Sequence, residues 1–188
     1  MNDQKTIYVL MTDTGTLFTR MIKLVTKAKH NHASIAFDPD LKDVYSFGRK
    51  QPRNPLSGGF VKEDIKGKLF GKAACAVYSC TINRSAYERM QAYIQTIEAN
   101  QQDYKYNLIG LFGIILNMEV QRENAYFCTQ FVAKVFEHSG LPIADKPASL
   151  VTPGDLESSA ALRLEYQGEL ARYIHRQTTT NPQEKQSA

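Results

Sequence analysis

The sequence contains no tryptophan and only three cysteines, Cys75, Cys80 and Cys128, among its 188 residues. An odd number of cysteines with no Cys-x-x-Cys pair argues against both a disulfide framework and a structural zinc site. We therefore expect three reduced thiols, as in a cytoplasmic protein. No metal ion or cofactor is predicted from the residue pattern.

The chain also has little excess of positive over negative charge, because its formal net charge is only +4. This excess is too small to predict binding to nucleic acid. The basic residues form two local clusters, Lys23, Lys27, Lys29 and Arg49, Lys50, Arg53. Each cluster is interpreted as a solvated face, with weak contact to an anionic membrane surface or an acidic substrate as the alternative.

Long apolar runs are absent as well. The N-terminal residues MNDQKTIYVLMT do not resemble a secretory signal peptide, which again favours the cytoplasm. The longest apolar block, residues 108–118, is shorter than the roughly 20 residues that a membrane-spanning helix needs. This block is predicted to be a buried helix.

Hydrophobic periodicity predicts alternating strands and helices. Strands are predicted at 6–12, 32–38, 43–48, 73–82 and 162–166, and helices at 17–25, 85–97, 107–118 and 126–139. Residues 49–67, with two prolines and a Ser-Gly-Gly, are interpreted as a loop, and a capping box is expected at Ser85 and Glu88. The order predicts an α+β fold with a central antiparallel sheet and helices packed against it. A single domain is expected over 1–176, and a disordered tail over 177–188.

Cys128 is the cysteine with a predicted chemical role. It lies in the segment YFCTQFV, within the first turn of a predicted helix. Unpaired N–H groups and the positive end of the helix dipole favour a thiolate at such a position. The alternative is a small, inert core residue, which is also the interpretation of Cys75 and Cys80.

A thiolate nucleophile needs a base within hydrogen-bond reach, and the chain has four histidines. His138 ends the predicted helix of Cys128 and is too far away, at about 1.5 Å of rise per residue. His175 lies near the predicted tail, and His30 in a basic loop. His32 opens a predicted strand and points away from the apolar face of that strand, so it is the preferred base.

Four segments, in this order along the chain, carry a resemblance to a known group of enzymes. They are TDTGTLFTRMIKLVT, HASIAFD from His32, YFCTQFVAKVFEHSGL from Tyr126, and VTPGDLESS followed by LEYQGEL. Together they resemble the circularly permuted NlpC-type papain-like cysteine hydrolases, which include the bacterial YiiX-like proteins and, more distantly, the lecithin retinol acyltransferase-like enzymes. In that group the histidine strand precedes the cysteine helix, as it does here.

The resemblance implies a papain-like fold and acyl transfer through a thioester, with Cys128 as the nucleophile and His32 as the general base. Related enzymes place a polar orienting residue, often Glu or His, on the strand after the histidine strand. That strand here reads DVYSFG, so Ser46, Tyr45 or a backbone carbonyl is the expected orienting group. A metal site at His30 and His32 is a remote alternative, because no further ligand accompanies them at a suitable spacing.

Three functions follow as hypotheses. The first is a cysteine peptidase or amidase acting on a small peptide or another amide. The second is a lipid-directed thiol acyltransferase or phospholipase, which residues 108–118 and the basic clusters favour. The third is a non-catalytic binding module with the same fold, which the missing charged orienting residue favours. The sequence leaves the acyl donor, the acceptor and the oligomeric state open.

Overall fold

The computed structural model describes residues 3–13, 29–49, 58–67, 70–116 and 118–180. The strands are β1 (Gln4–Asp13), β2 (His32–Ala36), β3 (Val44–Arg49), β4 (Gly58–Lys62), β5 (Ala74–Asn83), β6 (Lys105–Tyr106), β7 (Ala125–Tyr126) and β8 (Arg163–Glu169). The helices are α1 (Arg84–Ala99), α2 (Leu108–Leu116), α3 (Cys128–His138), α4 (Pro153–Glu157) and α5 (Leu170–Thr180), with a 3₁₀ turn at Ala148–Leu150.

Six strands form one antiparallel sheet in the order β4-β3-β2-β1-β5-β8. The longest ladder joins β1 to β5, where Val9 pairs with Tyr78 and Met11 with Ala76. On the other side of β1, Thr12 pairs with His32, so the histidine lies at one end of the sheet. The sheet and its helices agree with the predicted α+β class.

Hydrophobic side chains cover both faces of the sheet because its central strands alternate between two cores. The larger core contains Ala33 and Ile35 of β2 together with residues of α1 and α3. The second core contains Ala36 of β2 and is covered by Leu170 and Tyr173 of α5. His32 and Ser34 have the same parity as Ala36, so they point away from the larger core.

Several predicted boundaries are wrong. The predicted loop at 49–67 contains β4, and residues 177–180 of the predicted tail belong to α5. The rest of that tail, 181–188, and the predicted helix at 17–25 lie outside the described residues. Helix α1 begins at Arg84, and the side chain of Asn83 accepts its capping hydrogen bond from the Ala86 N–H at 2.8 Å. The predicted capping box at Ser85 is therefore two residues too late.

The apolar block at 108–118 forms helix α2 as predicted, but the prediction that this helix is buried is wrong. Ile109, Leu116 and Met118 are 58%, 67% and 58% exposed. The helix is closely packed at its glycines. A Cβ at Gly113, for example, would lie only 2.6 Å from the carbonyl oxygen of Met118. Within the described ranges, no helix combines the length and the hydropathy needed to cross a membrane.

Candidate active site

Cys128 and His32 each occupy the first residue of an element, α3 and β2 respectively. Helix α3 packs across β2 and β3 by burying Phe131 and Val132 in the larger core. This packing brings the start of the helix to the end of the sheet where His32 lies. Cys128 is close enough to His32 to raise the pKa of the imidazole. The structure therefore brings together the two residues that the sequence analysis selected.

Glu63 is the second partner of His32, and the sequence analysis missed it. Its Oε1 atom lies 2.5 Å from His32 Nε2. Because Glu63 occupies Nε2, the other ring nitrogen, Nδ1, is left to face Cys128. The imidazole is therefore held between a thiol and a carboxylate, which is the arrangement of a nucleophile, a base and an orienting group.

Two buried serines hold Glu63 in place. Ser34 Oγ donates a hydrogen bond to Glu63 Oε1 at 3.2 Å, and Ser46 Oγ donates to the same oxygen. Ser46 therefore contacts the partner of His32. Tyr45 points to the opposite face, where its ring stacks on Phe60 with centroids 6.0 Å apart. The expectation that Tyr45 orients His32 is corrected in favour of Glu63.

Burial and charge act in opposite directions on this pair. Burial lowers the pKa of His32, but the Glu63 carboxylate and the hydrogen bonds with Cys128 and Glu63 outweigh it, so the pKa is well above its usual value. Burial raises the pKa of Glu63, but the charge of His32 and the hydrogen bonds from His32, Ser46 and Ser34 outweigh it, so the pKa is lowered. Both shifts favour a charged imidazolium beside a charged carboxylate.

The pairing of β4 with β3 places Glu63 beside His32, although the two residues are far apart in the sequence. Glu63 directly follows β4, and its backbone N–H donates to the Val44 carbonyl at 2.8 Å. This bond continues the β3–β4 pairing by one more residue. The apolar pair Phe60-Val61 after two glycines is a weak strand signal that precedes a carboxylate. That signal predicts a short strand, but it does not indicate which neighbour the strand pairs with.

Cys128 lies in the first turn of α3, where the backbone N–H groups have no acceptor within the helix. The N-cap residue is Phe127, whose side chain makes no capping hydrogen bond. The first-turn N–H groups are thus not used by a side-chain cap. Such groups can stabilise an oxyanion that forms at a carbonyl attacked by Cys128.

A cavity of about 660 Å³ runs along α3. Tyr126 and Gln130 line it, but Cys128, His32 and Glu63 do not. Its other lining residues are mostly polar or charged: Glu119, Gln121, Arg122, Glu123, Asn124, Lys134, Glu137, Pro147, Ala148 and Ser149. Its volume lies in the range of small-molecule binding sites.

The other candidates from the sequence lie outside the site. His30 Nδ1 is 2.8 Å from Glu157 Oε1, and His138 stacks on Tyr93 at a centroid distance of 3.7 Å. Cys75 and Cys80 are buried free thiols in β5, as predicted. Burial raises the pKa of Cys75 to about 12. Within the described part of the chain, no group of three or more His, Cys, Asp or Glu side chains is placed to hold a metal ion.

Comparisons with known proteins add no assignment. No protein-family model matches the chain, and no curated protein matches it significantly. The interpretation of the site therefore depends on its geometry and on the sequence motifs.

Proposed function

We propose that this protein is a cysteine hydrolase that cleaves an amide or ester through a thioester on Cys128. The observation that carries the proposal is the position of His32 between Cys128 and Glu63 Oε1. The resemblance of the motifs around His32 and Cys128 to permuted NlpC-type papain-like hydrolases supports it. The hypothesis of a non-catalytic binding module depends mainly on the absence of a charged residue beside His32. Glu63 is such a residue, so this hypothesis loses its main support. Three free thiols fit a reducing compartment such as the cytoplasm.

The proposed reaction needs no group beyond those present and water. His32 takes the proton of the Cys128 thiol before the attack, which gives the imidazolium that Glu63 favours, and the thiolate then attacks the substrate carbonyl carbon. The oxyanion formed is stabilised by the first-turn N–H groups of α3. The C–N or C–O bond then breaks as His32 protonates the leaving group, which leaves a thioester. His32 next accepts a proton from water, and the hydroxide releases the acid and restores Cys128.

The first candidate substrate is an amide, such as a small peptide, which the resemblance of the motifs to permuted NlpC-type papain-like hydrolases favours.

The proposal is tested by the burst of p-nitrophenol from p-nitrophenyl acetate, followed by peptide mapping of the acetylated protein. We expect one equivalent of acetyl group on Cys128, and loss of the burst in Cys128→Ala and His32→Ala. Cys80→Ala is the matched control, because it removes a buried thiol that has no histidine partner in the structure's described part, and it should keep the burst. A wild-type protein without acetyl on Cys128 contradicts the proposal.

A lipid-directed acyltransferase or phospholipase is the second candidate. The exposed side chains on and just after α2 favour it, because Ile109 and Leu116 of the helix and Met118 beyond it present apolar surface to solvent. The chemistry at Cys128 would be the same, with an ester carbonyl as the acyl donor. Release of fatty acid from phospholipid vesicles, compared with hydrolysis of a peptide anilide, distinguishes the two candidates.

A further inference from the structure

The segment 151–157, which contains helix α4, connects the two halves of the site. At one end, Thr129 Oγ1 donates a hydrogen bond to the Val151 carbonyl at 2.5 Å. At the other end, Glu157 Oε1 lies 2.8 Å from His30 Nδ1. Thr129 is the residue after Cys128, and His30 lies two residues before His32. The segment therefore spans from the nucleophile helix to the histidine strand.

The first contact is buried and the second is partly buried. Thr129 is 2% exposed, and His30 is 4% exposed while the Glu157 side chain is 22% exposed. Water therefore competes least with the bond of Thr129. The backbone around His30 is also fixed, because the Asn31 N–H donates to the Thr12 carbonyl at 3.1 Å. Asn31 Nδ2 donates to Asp13 Oδ1 at 2.8 Å. A displacement of His30 must therefore move the start of β2.

The segment itself is stiff. Thr152 and Asp155 form a capping box at the start of α4, and proline occupies the first helical position. Lys146 Nζ pairs with Asp155 Oδ2 at 2.7 Å. Val151 and Leu156 are buried in the larger core. These contacts explain a motif, VTPGDLESS, that the proposed chemistry does not use.

We propose that residues 151–157 are a brace that fixes the separation between Cys128 and His32. Thr129, Glu157 and His30 are positioning residues at its two ends, and none of them reacts with the substrate. This inference rests on the proposed function, because a fixed separation matters only if the two side chains exchange a proton. A small error in the position of catalytic groups can reduce a rate by about 10²-fold.

The test uses Thr129→Val and Glu157→Ala, which remove one anchor each. Thr129→Ser and Glu157→Gln keep an anchoring group and serve as rescue variants. Matched controls are Thr96→Val, which loses a similar hydroxyl-to-carbonyl bond on α1, and Glu165→Ala on β8. Thermal unfolding of every variant sets a common temperature at which all of them are folded.

The first measurement is the NMR titration of the His32 ring, which needs no substrate. Cys128→Ala defines the titration midpoint of a ring without its thiol partner. We expect both anchor variants to shift the midpoint toward that value, and the rescue and control variants to stay close to wild type. Wild-type midpoints in both anchor variants would overturn the brace, whether or not the protein is an enzyme.

The second measurement is the rate of the acetylation burst, with an expected loss of about tenfold in each anchor variant and little change in the apparent KM. The double variant should be no slower than the slower single variant, because a brace released at one end no longer sets the separation. Multiplicative losses would overturn the brace in favour of two independent structural effects. A wild-type protein without a burst would contradict the proposed function, and the NMR titration would still decide the brace.

Discussion

The Nε2 atom of His32 lies 2.5 Å from Oε1 of Glu63, although His32 opens β2 and Glu63 follows β4, two strands that are not neighbours in the sheet. The same oxygen also accepts hydrogen bonds from Ser34 and Ser46. One carboxylate oxygen therefore fixes the ring orientation of the proposed base.

Replacement of Glu63 by Gln should slow acylation of Cys128 by about 10²-fold or more, since a histidine base contributes about 10²–10⁴-fold and needs its orienting charge. The pKa of His32 should fall, because the charge that raises it has been removed. The measurements are the p-nitrophenol burst and the NMR titration of His32.

Glu165→Gln is the control for that replacement, because Glu165 also accepts a hydrogen bond from a strand serine, Ser79, but lies on β8. This control should acylate at the wild-type rate. If Glu63→Gln does so as well, the orienting role of Glu63 is wrong.

The stability of the fold should pass through a maximum between two pH limits. The pKa of Glu63 is lowered on folding, so its stabilisation is present above the ordinary value of about 4.3 and is lost as the pH falls through the lower folded value. The pKa of His32 is raised, so its stabilisation is complete below about 6.5 and is lost as the pH rises through the higher folded value.

Urea unfolding at a series of pH values measures this dependence. In Glu63→Gln, the free energy of unfolding should depend less on pH near both limits, because the variant lacks the ion pair between His32 and Glu63. An unchanged pH dependence in that variant would show that other groups control the stability.

Removal of the hydroxyl group of Ser34 or Ser46 should mainly change the pKa of the Glu63 carboxylate. Ser34→Ala and Ser46→Ala each remove a hydrogen bond to a charged group, worth about 1.5–3 kcal/mol. Because these bonds help to lower the pKa of Glu63, that pKa should rise toward its usual value in both variants. Ser79→Ala removes a serine–glutamate hydrogen bond away from the site and should leave the pKa of Glu63 unchanged. NMR titration of the Glu63 carboxyl group measures the shift.

Polar replacements on α2 should leave the fold intact. Ile109→Ser and Leu116→Ser change side chains that are 58% and 67% exposed, so each should alter the free energy of unfolding by less than about 0.5 kcal/mol. If the substrate is a lipid, both variants should lose binding to phospholipid vesicles in a flotation assay. Leu164→Ser, at a 50% exposed position on β8, is the control. Equal vesicle binding by all variants, or none by wild type, contradicts the lipid candidate.

Local features were sufficient to select Cys128 and His32 as candidates, and the structure places the two residues near each other. A helix start in an apolar stripe marks the cysteine, and strand parity separates His32 from Ala33 and Ile35. Glu63 has no such local mark. Its role depends on the pairing of β4 with β3, which brings together residues from separate segments and is a tertiary property.

The errors at α2 and α5 have a related cause. Composition predicted a helix at 108–118 correctly, but an apolar run does not specify which neighbours cover it. At 177–180, the polar residues have low helix propensity, yet they continue a helix that Leu170 and Tyr173 anchor in the second core. In both cases packing decided an outcome that local preference did not determine.

Strand β4, which ends beside Glu63, is the outermost strand at its side of the sheet formed by the described residues. Outer strands open at a lower free energy than central ones, because they share a ladder with one neighbour. In mild denaturant, β4 should therefore show fast hydrogen exchange while β1 and β5 remain protected. Glu63 belongs to the part of the sheet that separates first, so the proposed hydrolase activity should be lost before the protein unfolds.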